Sequence, residues 1–121
     1  MWTYKQSTGE LIDPEGEIVA TGYSGAAEGR NNPGLQDRHN VGPIPQGTYV
    51  VLPPRDLQGG PHGPYVLPLS PSQSNAMWGR SGFLCHGDDS THTASEGCII
   101  MPFSIRQLVA KSGDFILKVI G

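Results

Sequence analysis

Glycine and proline punctuate this chain so closely that long regular elements have little room to form. The 121 residues hold 17 Gly and 11 Pro. Glycine carries the largest backbone entropy cost and proline lacks an amide donor, so both work against extended helices. The expected result is a mainly β fold of short strands joined by turns. A chain of this length supports one core, so a single domain over residues 1–121 is expected.

The segments between the breakers fit that expectation. Trp2 to Gln6, Leu11-Ile12 and Glu17 to Tyr23 are extended, separated by Ser7-Thr8-Gly9 and Asp13-Pro14-Glu15-Gly16, which predicts a β-meander. Ser24 to Asn40 has no periodicity and is rich in Gly and Asn. A loop that long in a small domain is commonly functional, making it a candidate cleft wall. Gly42 to Gly47 is a stiff turn before a Thr48–Leu52 strand, which Pro53-Pro54 stops. Tyr65 to Leu69 is a short strand that Pro68 would place at a sheet edge. Gly82 to Gly87 is another strand, delivering His86. One helix is expected, beginning at Pro102, with Ile105, Leu108 and Val109 on one stripe and Gly113 at its end. Asp114 to Ile120 closes the chain as a strand covered on both faces.

Charge and hydropathy exclude several classes. Eight basic residues oppose eleven acidic ones, for a net charge of -3, and no Lys/Arg cluster appears, so nucleic acid is not an expected partner. The longest apolar runs, Cys98 to Pro102 and Phe115 to Ile120, fall far short of the roughly 18 residues of a membrane helix, so no span is expected. The N-terminus lacks the charged, apolar and cleavage regions of a secretory signal. Two cysteines, Cys85 and Cys98, are too few for a disulfide framework.

The chemistry-bearing feature is His86-Gly87 followed by Ser95-Glu96-Gly97-Cys98. The polar loop between them can fold back and pair thiol with imidazole. A free thiol with a pKa of about 8.5 is mostly protonated at neutral pH, and a neighbouring imidazole that accepts the proton removes that limit. Gly97 lets substrate approach the backbone, and the Gly97 and Cys98 amides are candidate oxyanion donors. The imidazole needs a fixed tautomer, for which the Gly87 carbonyl, Ser95 or Asp88 are candidate partners.

Other readings compete. A free cysteine in a small domain is commonly a buried hydrophobe. That reading is taken for Cys85, because strand alternation turns it to the core if His86 faces a cleft, and the same alternation opposes a Cys85–Cys98 disulfide. Zinc is the sharper competitor: His86, His92, Cys98 and Asp88 number four ligands, but their spacing matches no common zinc module. His39 and His62 read as exposed loop histidines.

The His-Gly and Ser-x-Gly-Cys pair resembles the signature of L,D-transpeptidases with the YkuD-type β-fold. The chain is more similar still to small Tlde1-type effectors of type VI secretion systems. That resemblance runs through Trp2-Thr3-Tyr4, Gly22-Tyr23-Ser24-Gly25, Asn31-Asn32-Pro33, Gly42-Pro43-Ile44-Pro45-Gln46-Gly47, Gly79-Arg80 and Phe83-Leu84-Cys85-His86-Gly87-Asp88. It implies a YkuD-like β-sandwich with one short helix after the cysteine. It further implies an enzyme that attacks the diaminopimelate carbonyl of peptidoglycan tetrapeptide stems, expels D-alanine and leaves a thioester. Water then gives L,D-carboxypeptidase activity, a D-amino acid gives exchange, and a second stem gives a crosslink. By position, Cys98 is the implied nucleophile, His86 the base and Gly87 its orienter, with Gly97 and Cys98 amides as the oxyanion hole.

The resemblance requires no cofactor and no metal. It implies synthesis in the cytoplasm without a signal peptide, type VI delivery to a neighbour's periplasm, and a cognate immunity protein. The transpeptidase motif has a second histidine where this chain has Glu96, which marks Glu96 for substrate contact or for tuning the Cys/His proton balance. Arg80 is a candidate for a substrate carboxylate, since its guanidinium fork fits one. Tyr23 and Ser24, entering the long loop, are candidate cleft residues, and Asp88 and Ser95 complete the candidate substrate-binding set. Two other classes stand beside this one, a non-catalytic peptidoglycan-binding module and a zinc-dependent amidase or peptidase.

Overall fold

The computed structural model describes residues 1–57 and 63–121; His62 lies outside the described residues. Strand β1 (Trp2–Lys5) is followed by β2 (Glu10–Ile12), β3 (Ile18–Thr21) and β4 (Tyr23–Ser24). After the long loop, which folds as two single-turn 3-10 helices, come β5 (Gly47–Val51), β6 (Arg55–Leu57), β7 (Gly63–Pro71), β8 (Leu84–His86) and β9 (Ile99–Ile100). Helix α1 (Phe103–Lys111) and β10 (Ile116–Ile120) complete the chain.

The strands run in the spatial order β3-β2-β1-β10-β5-β7-β8-β9-β4, with β6 paired to β7 off that path. The two ends of the path, β3 and β4, are consecutive in sequence and joined through Gly22, so the sheet curls into a nearly closed barrel. Gly22 is required at this seam, because a Cβ there would lie 1.8 Å from the Ile100 carbonyl oxygen. The mainly β expectation, with one short helix after Cys98, describes this molecule; the sheet path is barrel-like where two sandwich layers were expected. Trp2, Tyr4, Tyr49, Val51, Leu117 and Val119 alternate inward from β1, β5 and β10 to form the core.

Three local expectations change. Strand β7 is central, flanked by β5 and β6 on one side and β8 on the other. Pro68 is tolerated there because its missing donor falls opposite Leu52, where the ladder keeps only the Leu52 N–H to Pro68 carbonyl bond at 2.9 Å. Strand β5 ends one residue earlier, so the proline terminates a pairing rather than marking an edge. Strand β10 is covered on one face, with Leu117 and Val119 buried and Ile116 and Lys118 exposed. In α1, Pro102 is the N-cap, Ser112 the C-cap, and Gly113 follows. Its buried residues are Arg106 and Val109, while Leu108 is exposed. No helix among the described residues is long and apolar enough to cross a membrane.

Candidate active site

The parallel pairing of β8 and β9 builds the centre of the site. Its register sets Cys85 opposite Ile99 and His86 opposite Ile100. Cys85 and Ile99 point into the hydrophobic core, so alternation turns His86 to the other face. Cys98, one residue before β9, lies beside Leu84, whose amide approaches its Sγ at 3.4 Å. Continuing the alternation back from Ile100 puts Cys98 on the face of His86, diagonally across two strands. Both line a cleft of about 800 Å³ that also receives His39, Asn40, Phe83 and Arg106.

The imidazole is oriented as the sequence suggests. His86 Nδ1 lies 2.8 Å from the Gly87 carbonyl oxygen. A carbonyl only accepts, so Nδ1 carries the proton in this bond, and Nε2 is the ring nitrogen able to take one. Burial pushes the Cys98 thiol up from its ordinary range; the Glu96 carboxylate pushes the same way, while the Leu84 amide and Arg80 cation oppose it. The balance favours the neutral thiol over a preformed thiolate. Burial drives Cys85 further, to about 12, in keeping with a packing role. Both cysteines are free.

The Ser95–Cys98 loop is held from behind by residues that sequence placed in the cleft. Ser24 is fully buried; its Oγ donates to the Gly97 carbonyl at 2.9 Å and accepts from the Ile44 amide at 2.8 Å. Ser95 Oγ accepts the Gly25 and Gly97 amides at 2.8 and 3.1 Å and donates to the Cys98 carbonyl at 2.6 Å. The Gly97 amide is thus engaged, which leaves the Cys98 amide as the remaining candidate of the expected pair. Neither Ser24 nor Ser95 lines the cleft.

Arg80 lines the cleft yet is buried, and its role differs from the expected one. Its Nη1 donates to the Gln36 and Pro43 carbonyls at 2.6 and 2.8 Å, and its Nη2 to Gly42 and Glu96 carbonyls at 2.9 and 3.4 Å. With those four donors spent, no fork is left for a substrate carboxylate; the guanidinium ties the long loop and the Gly42-Pro43 turn to the Ser95–Cys98 loop. Gly97 accommodates it, since a Cβ there, at φ +139°, would lie 2.5 Å from Arg80 Nη2 and 3.0 Å from the Phe83 ring. The space beside Gly97 is filled by protein, not left for substrate.

Asp88 lines the cleft but is also committed. It accepts from Tyr23 Oη and lies 2.8 Å from His92 Nδ1. Burial is the largest single influence and weakens the acid, but the bonds from Tyr23, His92 and the Asp89 amide together outweigh it and hold its carboxyl below the usual range. Tyr23 Oη also accepts the Ala94 amide at 3.0 Å, so it pins the loop linking His86 to Cys98, and it faces a second, adjoining cleft. Glu96 is exposed and lines the main cleft. The zinc alternative loses its geometry: among the described residues no three His, Cys, Asp or Glu side chains converge as a ligand group.

Sequence reasoning missed Arg106 and His39. Arg106, to which the sequence assigns no role, is buried and lines both clefts. His39, read as an exposed loop residue, is exposed but held 2.8 Å from the Trp78 carbonyl at the cleft rim. Neither has a local signal, because both positions depend on long-range packing.

A family model described as the Tlde1 domain matches residues 18–113, a span that takes in His86, Cys98 and α1 and leaves out β1, β2 and β10. Among curated proteins nothing matches.

Proposed function

The chain belongs to the Tlde1 domain family, and from that premise we propose that it is a type VI effector enzyme: a cysteine-dependent L,D-carboxypeptidase or D-amino acid exchange transpeptidase. Its substrate is the peptidoglycan tetrapeptide stem, cut between diaminopimelate and D-alanine. The observation that carries this reading is the placement of Cys98 and His86 on one face of the β8–β9 pair, lining one cleft, with Nδ1 held by the Gly87 carbonyl.

In the first step His86 Nε2 takes the Cys98 thiol proton as Sγ attacks the diaminopimelate carbonyl carbon. The raised thiol pKa makes this transfer part of the reaction, so the base acts at the moment of attack. The oxyanion forms next to the Cys98 amide, and one such donor is worth about 3–4 kcal/mol of transition-state stabilisation. The C–N bond then breaks, His86 returns the proton to the departing D-alanine amine, and a thioester remains. Water, deprotonated by His86, releases the acid and the thiol; a D-amino acid amine in its place gives exchange.

The effector reading carries delivery to a neighbouring cell's periplasm and an immunity protein as partner. The test is mass spectrometry of purified tetrapeptide muropeptides incubated with the protein, with and without added D-methionine. Loss of alanine marks hydrolysis and a shift to methionine marks exchange. Unchanged muropeptides with the native protein, or equal turnover by Cys98→Ala, overturn the proposal.

A further inference from the structure

Arg106 is a buried cation whose hydrogen bonds are only partly spent. It is 6% exposed. Its Nε donates to the Met101 carbonyl at 3.2 Å, and its Nη1 to the Pro64 and Tyr65 carbonyls at 3.0 and 2.9 Å. These acceptors are neutral, and no carboxylate forms an ion pair with Arg106 among the described residues. Nη2 has no hydrogen-bond partner among them either. An unpaired buried charge is costly, and burial pulls this guanidinium below its ordinary range.

The unspent edge abuts the catalytic centre. A Cβ on Gly87 would lie 3.0 Å from Arg106 Nη2, so the glycine whose carbonyl orients His86 also leaves the guanidinium uncovered. Arg106 lines the main cleft together with His86, Gly87 and Cys98. None of the three acidic residues of that cleft, Asp88, Asp89 and Glu96, is ion-paired to Arg106, and the two aspartates are held elsewhere. Asp88 is committed to Tyr23 and His92, and Asp89 to the amides of Thr91 and Thr93. The Phe103 ring, 5.6 Å from the guanidinium carbon, keeps one side apolar, which strengthens a charge-assisted bond.

We infer that Arg106 Nη2 binds the α-carboxylate of the amino acid on the leaving-group side of the scissile bond. The inference rests on the catalytic reading above and names its missing specificity element. With Nε and Nη1 held by carbonyls, the contact is end-on through one nitrogen. The departing D-alanine and an incoming D-amino acid share this subsite, because exchange retraces acylation through the same geometry. An internal peptide bond at that place, lacking the carboxylate, is the disfavoured substrate.

Two measurements test it. Calorimetric titration of Cys98→Ala with a tetrapeptide stem and its C-terminal amide reads recognition without turnover. We expect the acid to bind roughly 10- to 100-fold more tightly, the range for one charge-assisted hydrogen bond. Arg106→Gln in the same background is expected to bring the two affinities within about threefold, leaving the amide's affinity nearly unchanged. Equal binding of acid and amide by the Arg106 protein overturns the inference without reference to any Arg106 variant. A preference that survives in Arg106→Gln overturns it as well. If acid preference depends on Arg106 but the native protein turns over neither stem, the carboxylate site stands and the catalytic reading falls. To separate the two carboxylate sources, D-alanine and D-alaninamide are compared as exchange acceptors; the free acid is expected to be the better one, and no difference confines the site to the leaving group.

Discussion

Replacing Arg80 by methionine removes a buried guanidinium while keeping most of its volume, and the structure sets what should follow. Three of its hydrogen bonds, to Gln36, Pro43 and Gly42, are short, and the fourth, to Glu96, is long at 3.4 Å. Bonds to a charged group contribute about 1.5–3 kcal/mol each. Against three such bonds stands the several-kcal/mol cost of desolvating the cation, which the variant no longer bears. The net loss is about 3 kcal/mol, in line with breaking a buried polar network. For a chain of this size that lowers the melting temperature by about 10 °C. The carbonyls released belong to the long loop, to the Gly42-Pro43 turn and to Glu96, so the Cys98 backbone loses part of its support. A nucleophile displaced by a fraction of an ångström lowers kcat by about tenfold or more. Calorimetry gives the melting temperature, and steady-state release of D-alanine separates kcat from KM. A variant of native stability whose only defect is a raised KM refutes the staple role and returns Arg80 to substrate binding.

Glu96→Gln removes a negative charge that raises the Cys98 thiol, so the midpoint of Cys98 alkylation against pH should fall; an unmoved midpoint shows that Glu96 does not tune the thiol. In the same experiment Cys85, buried in the core and shifted to about 12, should stay unlabelled in the folded protein at pH 8. Asp88 has a folded pKa below its unfolded one, so its contribution is fully present above the unfolded value of about 3.9 and is lost as pH falls through the folded value. Asp88→Asn should therefore flatten the acid limb of the stability curve in urea titrations between about pH 5 and 2, and an unaltered limb rejects the linkage. Ser24→Ala leaves the Gly97 carbonyl and the Ile44 amide without their shared partner, which should cost about 2–4 kcal/mol by urea denaturation; a loss under 1 kcal/mol indicates that the loop closes over the gap.

Several elements were legible because their causes are local. Gly and Pro spacing marked the turns around β1, β2 and β3, and a proline and a glycine bracketed α1. Strand alternation separated Cys85 from His86, since adjacent side chains on a strand must face opposite ways. The Gly87 carbonyl lies one residue from the ring it orients, so that contact too was readable. Pro68 misled because its missing donor forfeits only one bond, to Leu52, just past the end of β5, a position that local sequence does not reveal.

The arginines and serines mark the boundary between the two kinds of information. Sequence by itself determined that the chain would be short-stranded, that one histidine and one cysteine stood at a spacing suited to pairing, and that Cys85 belonged to packing. It also placed Arg80 near the site, but it could not assign its role. Arg80 reads as a substrate fork and is a staple, while Arg106 carries no local signal and lines the cleft. A guanidinium has five donors and takes its role from whatever acceptors surround it. Most of those acceptors come from residues some forty positions away for both arginines, brought there only when the sheet curls on itself. Tertiary structure alone decided which cation is spent and which has a donor left to offer.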